Sequence, residues 1–249
     1  MNKIGWCSST WNPVVGCLNH CEYCYARKIA KRFWKQMLII ECGYYCNQRP
    51  SWTWHGQYYS DLLFNFKPAF LYSQFNKKFL KKSQRIFVGS MSEIYYWKNE
   101  WLEKVLEKVK LYPQHIFQFL TKYPEIYSKY RFPDNCWLGV TITKKEDIDC
   151  NWSYFFNIPN IKNIKFFFSF EPLLGSINLS FYLNIDWLIL GAETGNRKGK
   201  VIPKREWIET IVNYCRENNI PIYLKDSLKD IYPVEIKEFP KMESTKCKK

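Results

Sequence analysis

A chain of 249 residues fits one large domain or two small ones. Apolar residues at 47% and aromatics at 19% supply a sizeable core and exclude wholesale disorder, and ten glycines and twelve prolines exclude collagen-like and low-complexity classes. Lys and Arg number 37 against 23 acids, a net charge of +14 that suits a polyanionic partner such as nucleic acid but equally suits the Lys-, Asn-, Ile- and Tyr-rich composition of an A+T-biased genome.

No run of about eighteen uncharged apolar residues is present, so no membrane-spanning helix is expected. Met1–Asn12 lacks the basic-then-apolar layout of an export signal, and a cytoplasmic protein is expected.

In chain order, the first strand is predicted near Trp11–Val15. Residues 47–83 are the least regular stretch and read as an insertion or a lid. Short runs rich in aromatic and β-branched residues then recur at Arg85–Gly89, Ile116–Leu120, Trp137–Ile142, Lys165–Phe170, Trp187–Gly191 and Pro221–Lys225. Continuous apolar runs of this length suit strands buried on both faces of a parallel sheet. Between them, Glu100–Leu111 places Trp101, Val105, Leu106 and Val109 on one helical stripe. Arg205–Asn218 does the same with Trp207, Ile208, Ile211, Val212 and Cys215.

Strand and helix alternate with a period of about 20 to 30 residues, which favours right-handed βαβ crossovers. The fold class expected is α/β, a partial (βα) barrel of about six to seven parallel strands, with a doubly wound sheet as competitor. Residues 1–236 form one domain in this reading, and 237–249 a frayed, lysine-rich basic tail.

In either architecture ligands sit at the C-terminal ends of strands. Those ends carry Gly16-Cys17, Gly89-Ser90-Met91-Ser92-Glu93, Thr121-Lys122, Thr141 with Thr143, Ser169-Phe170-Glu171, Gly191-Ala192-Glu193 and Lys225-Asp226.

Ten cysteines without an export signal call for metal or catalysis rather than disulfides. Cys17, Cys21 and Cys24 form a C-x3-C-x2-C run whose thiolates can converge on one metal centre. A structural zinc site is normally closed by four ligands, whereas a cluster on three cysteines leaves one iron free to bind something else. Three readings stay open: an iron–sulfur cluster, a zinc site with His20 as an awkwardly placed fourth ligand, and unliganded thiols. Cys42 and Cys46 make a second C-x3-C, either an auxiliary site or bystanders.

The triad, with Tyr23 before its last cysteine, resembles that of the radical S-adenosylmethionine (SAM) enzymes. Within that group, the chain resembles an uncharacterised phage-associated family that opens T-W-N-P-x-x-G-C and continues C-Y-A, here Thr10–Cys17 and Cys24-Tyr25-Ala26. The likeness continues through Ser90–Glu93, Leu120–Lys122, Trp137–Val140, Phe170–Gly175, Ile185–Trp187 and Gly191–Gly195, about residues 6 to 225. It departs at Glu93, where the family usually has Asp, at Tyr123, where it has Arg, and at Lys225–Leu228, where it reads K-Q-W-G.

The resemblance implies a [4Fe–4S] cluster on Cys17, Cys21 and Cys24 that binds SAM. An electron from an external donor would cleave SAM to a 5′-deoxyadenosyl radical that abstracts a substrate hydrogen. Tyr23, Ser90, Ser92 and Glu93 are then cofactor-binding candidates, with Glu93 facing the SAM ammonium or lying as a solvated loop acid. Lys122 would meet the SAM carboxylate or a substrate phosphate, or lie on the surface. Thr141 and Thr143 would contact ribose or simply pack.

Glu171 and Glu193 follow apolar strands, where a desolvated carboxylate must be paired or shifted; they are candidate catalytic acids or bases, or partners of strand-end cations. The segment from Trp52 to Lys82 interleaves aromatics with lysines, fitting either a nucleic-acid groove or core packing. The expectation is a radical SAM enzyme acting on a nucleic-acid or nucleotide substrate. The competing expectation is a non-catalytic, zinc-stabilised nucleic-acid-binding protein.

Overall fold

The computed structural model describes residues 4–46, 53–151, 164–179 and 185–241. Its main sheet contains β1 (Ser9–Trp11), β4 (Arg85–Val88), β5 (Ile116–Thr121), β6 (Cys136–Thr141), β7 (Lys165–Phe170), β8 (Trp187–Leu190) and β9 (Ile222–Leu224), in that order and all parallel. β2 (Val14–Val15) and β3 (Ala69–Phe70) form a separate antiparallel pair. The helices are α1 (Tyr25–Cys46), α2 (Thr53–Phe64), α3 (Tyr72–Phe75), α4 (Asn99–Lys110), α5 (Lys145–Asn151) and α6 (Arg205–Glu217).

Each strand of the main sheet adds at the same edge, with no reversal of order. A doubly wound sheet reverses at a switch point; unidirectional growth with strand twist curls the sheet into a half-barrel instead. The partial barrel expected from the sequence is therefore the fold.

Alternation along the strands splits the core in two. Phe117, Phe119, Leu138, Val140, Phe168 and Leu188 point outward. They pack with the buried stripes of α4 (Leu102, Val105, Leu106, Val109) and α6 (Ile208, Ile211, Val212, Cys215). Trp101 and Trp207, expected within those stripes, lie at their margins and are only partly buried.

Phe87, Trp137, Phe167, Trp187, Ile189 and Tyr223 form a second cluster with Trp6 on the concave face. Gly139 opposes Phe167 in register, and a Cβ there would fall 2.3 Å from the ring. The missing side chain makes room for the aromatic floor.

The predicted first strand is broken in two at Pro13, which donates no N–H to a ladder. Its two halves join different sheets. Lys237–Phe239, read as the start of a tail, pair with β9 instead: Leu224 N–H donates to Ile236 O, and Glu238 N–H to Ile222 O. Phe239 then packs on Trp187 and Tyr223 and beneath the Arg85 guanidinium. Residues 242–249 of that tail lie outside the described residues.

Of the stretch 47–83, residues 47–52 lie outside the described residues. The remainder supplies α2, which packs on α1, and Phe70, Phe75 and Phe79, which join the outer core. No helix among the described residues is long and apolar enough to cross a membrane.

Candidate metal and cofactor site

Gly16 places the cysteine loop. It bridges to Ser92 beyond β4, and Cys17 N–H donates to Phe66 O. Its φ of +109° and the 2.1 Å that would separate a Cβ from Lys67 O leave space for glycine alone. Cys17 therefore emerges beside the C-terminal ends of β1 and β4.

The loop is held at several points. The Arg27 guanidinium donates to Cys17 O at 3.1 Å and Asn19 O at 3.0 Å, and stacks over Phe66. Asn19 Oδ1 accepts from the hydroxyls of Tyr96 at 2.9 Å and Tyr123 at 2.6 Å. Asn12 Oδ1 takes Ser90 Oγ–H and Met91 N–H, fixing the loop after β4. On the far side of the barrel mouth, Arg197 binds Glu193 with two parallel bonds of 2.7 and 2.8 Å and reaches Glu22 at 3.0 Å.

Cys17, Cys21 and Cys24 are half-buried free thiols, and Cys17 lies close enough to feel the charge of the other two. Burial pushes the Cys17 thiol up to about 12, so it is a neutral thiol unless a cation binds there. Cys17 Sγ accepts Asn19 N–H, and Cys24 Sγ accepts Arg27 N–H, each at 3.3 Å. Such N–H···S bonds stabilise and tune cluster thiolates.

Among the described residues, no three His, Cys, Asp or Glu side chains are already gathered to metal-binding distance. The donor set nevertheless fits a centre held by three thiolates. His20, the fourth-ligand candidate, is exposed. Cys42 is half-buried and about 27 Å along α1 from Cys24, well apart from the loop, and the side chain of Cys46 lies outside the described residues.

Lys122 Nζ donates to the Tyr23 hydroxyl at 3.1 Å. Burial works to lower the ammonium, but Tyr23 and Cys21 outweigh it and its pKa rises; burial also raises the Tyr23 phenol. Beneath them, Glu93 is buried and accepts from Thr121 Oγ1, Lys122 N–H at 3.0 Å and Tyr95 N–H at 3.3 Å. Burial raises its pKa against those bonds. Glu93 thus ties the ends of β4 and β5 together instead of lying solvated on a loop.

Ser92 Oγ accepts the Trp97 indole N–H at 3.1 Å. Thr143 gives its hydroxyl to Asp147 at 2.6 Å at the start of α5, while Thr141 stands half-exposed on the inner rim. Glu171 pairs with Lys225 at 2.7 Å and accepts from Ser169 Oγ and Trp6 Nε1. Glu193 is buried, and its bonds to Arg197 hold it below the ordinary carboxylate value. Both strand-end carboxylates are thus ion-paired.

The structure gathers Cys17, Cys21, Cys24, Tyr23 and Lys122 in one place, with Glu93 below and Glu193 tethered through Arg197. Asn12, Asn19, Arg27 and Arg197 were missed as site-builders. Arg197 carried a readable signal, since it stands four residues after Glu193, and Asn12 lies inside the T-W-N-P block. Arg27 and Asn19 carried none, because their bonds run to a loop fold that spacing does not reveal.

An all-parallel half-barrel with a three-cysteine loop at its C-terminal rim defines the class of this protein. Residues 1–235 match the family described as Protein of unknown function (DUF5131), and the chain belongs to that family. No curated protein and no solved structure matches the chain.

Proposed function

We propose that this protein is a radical SAM enzyme whose substrate is a nucleic-acid base or nucleotide. One observation carries the reading. The three cysteines stand on a firmly tethered loop at the rim where parallel α/β barrels place their chemistry. A [4Fe–4S] cluster on Cys17, Cys21 and Cys24, when bound, supplies the electron for reductive cleavage of SAM and so a hydrogen-abstracting radical.

The chain's own groups prepare the site. Lys122, hydrogen-bonded to Tyr23, offers a cation to the SAM carboxylate or to a substrate phosphate. Glu93 fixes the Lys122 backbone through its amide. Ser90 and its loop, pinned by Asn12, are the groups offered to the SAM ammonium. Thr141 and the Glu171–Lys225 pair line the inner rim, and the aromatic floor around Trp6 and Trp187 excludes water from below.

The test is metal content after anaerobic reconstitution. About four iron and four sulfide per chain are expected, with a reducible electron paramagnetic resonance signal, all lost on replacing Cys17, Cys21 and Cys24 by Ala. Stoichiometric zinc without sulfide would overturn the proposal in favour of a zinc-held nucleic-acid binder.

A further inference from the structure

We infer that the exposed face of α1 is a docking track for single-stranded nucleic acid, leading to the barrel mouth; this narrows the substrate of the site proposed above to a single strand and rests on that reading. Of the aromatics between residues 52 and 82, Phe70, Phe75 and Phe79 pack in the outer core, while Tyr58 and Phe64 are exposed on α2. The first turns of α1 set exposed aromatics directly beside cations.

One face of α1 is buried through Ala26, Ala30, Trp34 and Met37 against α2 and its surroundings. The face next to it keeps large apolar side chains in solvent: Tyr25 is 47% exposed, Ile29 43% and Phe33 41%. Spaced four apart, they form a stripe about 12 Å long. Lys28 and Arg32 run beside it, both exposed, with Arg32 resting over the Phe33 ring at 5.3 Å, and exposed Lys35 continues the cationic row a turn further on, over the Trp34 ring at 5.7 Å. The only acid in α1 is Glu41, which is buried and taken up by the Tyr72 and Ser73 amides.

An apolar and aromatic stripe beside a row of cations, on a chain of net charge +14, complements a flexible polyanion with exposed π-faces. Bases stack on Tyr25 and Phe33 while phosphates meet the Lys28, Arg32 and Lys35 row. A duplex, with its bases paired and stacked, offers phosphates to the cations but no free π-face to the stripe. The track also has a direction. Tyr25 follows Cys24, and its hydroxyl donates to Ser90 O at 2.8 Å, so the N-terminal end of the stripe is pinned to the rim of the mouth.

The test is fluorescence anisotropy with a labelled 20-nucleotide mixed-sequence strand, as DNA and as RNA, against the matching duplex. The protein used is the full chain, with and without its metal centre. Single strands are expected to bind more tightly than duplex. Phe33→Ala is expected to weaken binding about tenfold. The triple variant Lys28→Glu, Arg32→Glu, Lys35→Glu is expected to weaken it further and to flatten the slope of log K against log salt by about 2.

All substituted side chains are exposed, and unchanged circular dichroism verifies folding. A preference for RNA or for DNA identifies which strand is the substrate. Unaltered binding by both variants, or capture of anionic lipid vesicles without binding of either strand, overturns the inference. Because the assay needs no turnover, these outcomes leave the radical SAM proposal to its own test, and loss of that proposal leaves the binding result standing.

Discussion

Glu171 and Lys225 meet at 2.7 Å across Gly191, which lies between them on the intervening strand. A Cβ on Gly191 would come within 2.8 Å of the Glu171 carboxylate and 3.1 Å of Lys225 Cδ. The pair spans three strand ends because the middle one carries no side chain. Gly191→Ala is expected to displace the pair and destabilise the fold by about 1–2 kcal/mol, read by urea unfolding. Gly139→Ala drives a methyl into the rigid, buried Phe167 ring at 2.3 Å and is expected to cost more, about 3 kcal/mol. Equal effects at the two glycines would refute the distinction between a yielding rim and a packed floor.

Glu22 ties the cysteine loop to Arg197, while Arg197 and Glu193 form their own bidentate pair. Glu22→Gln removes the tether and spares the buried carboxylate. Thermal stability is expected to stay unchanged, since the Glu22 side chain is 79% exposed. Iron loss to a chelator is expected to quicken about two- to fivefold. Identical loss kinetics would show that the tether does not hold the loop.

His115 is buried, and Gln84 N–H donates to its Nδ1 at 3.2 Å, a bond that only an unprotonated nitrogen accepts. Burial holds its pKa below 6.5 in the folded protein. Below about pH 6.5 the unfolded chain takes up a proton that the folded chain refuses, so stability is full above that value and falls as pH drops toward the folded pKa. Urea midpoints measured from pH 7.5 down to 5 are expected to decline in the native chain and to decline less in His115→Gln. Parallel slopes would contradict the assignment.

Much of the barrel was legible because a strand buried on both faces leaves a short, nearly continuous apolar run. Lys165–Phe170 is such a run, and all but its first residue is buried. The seam was less legible. Trp6 and Phe239 close the floor from outside any periodic element, and nothing local distinguishes them from loop aromatics.

The long helix α1 was passed over because its apolar residues divide between a buried stripe through Ala26 and Ala30 and an exposed one through Tyr25, Ile29 and Phe33. That division blurs the amphipathic signal. At the site, the cysteine triad is local and spacing reveals it. The groups that hold it, Asn19 to Tyr123 and Glu22 to Arg197, are separated by more than a hundred residues and become visible only when the strands bring them together.

The central claim, radical SAM chemistry on Cys17, Cys21 and Cys24, is tested most directly by 5′-deoxyadenosine formation. The reconstituted protein is incubated anaerobically with SAM and a strong reductant, and the product is measured by mass spectrometry. The account predicts 5′-deoxyadenosine from the native chain and none from the triple Cys→Ala variant. Equal product from both, or none from a native chain that carries a reduced cluster with SAM and single-stranded nucleic acid present, would contradict it.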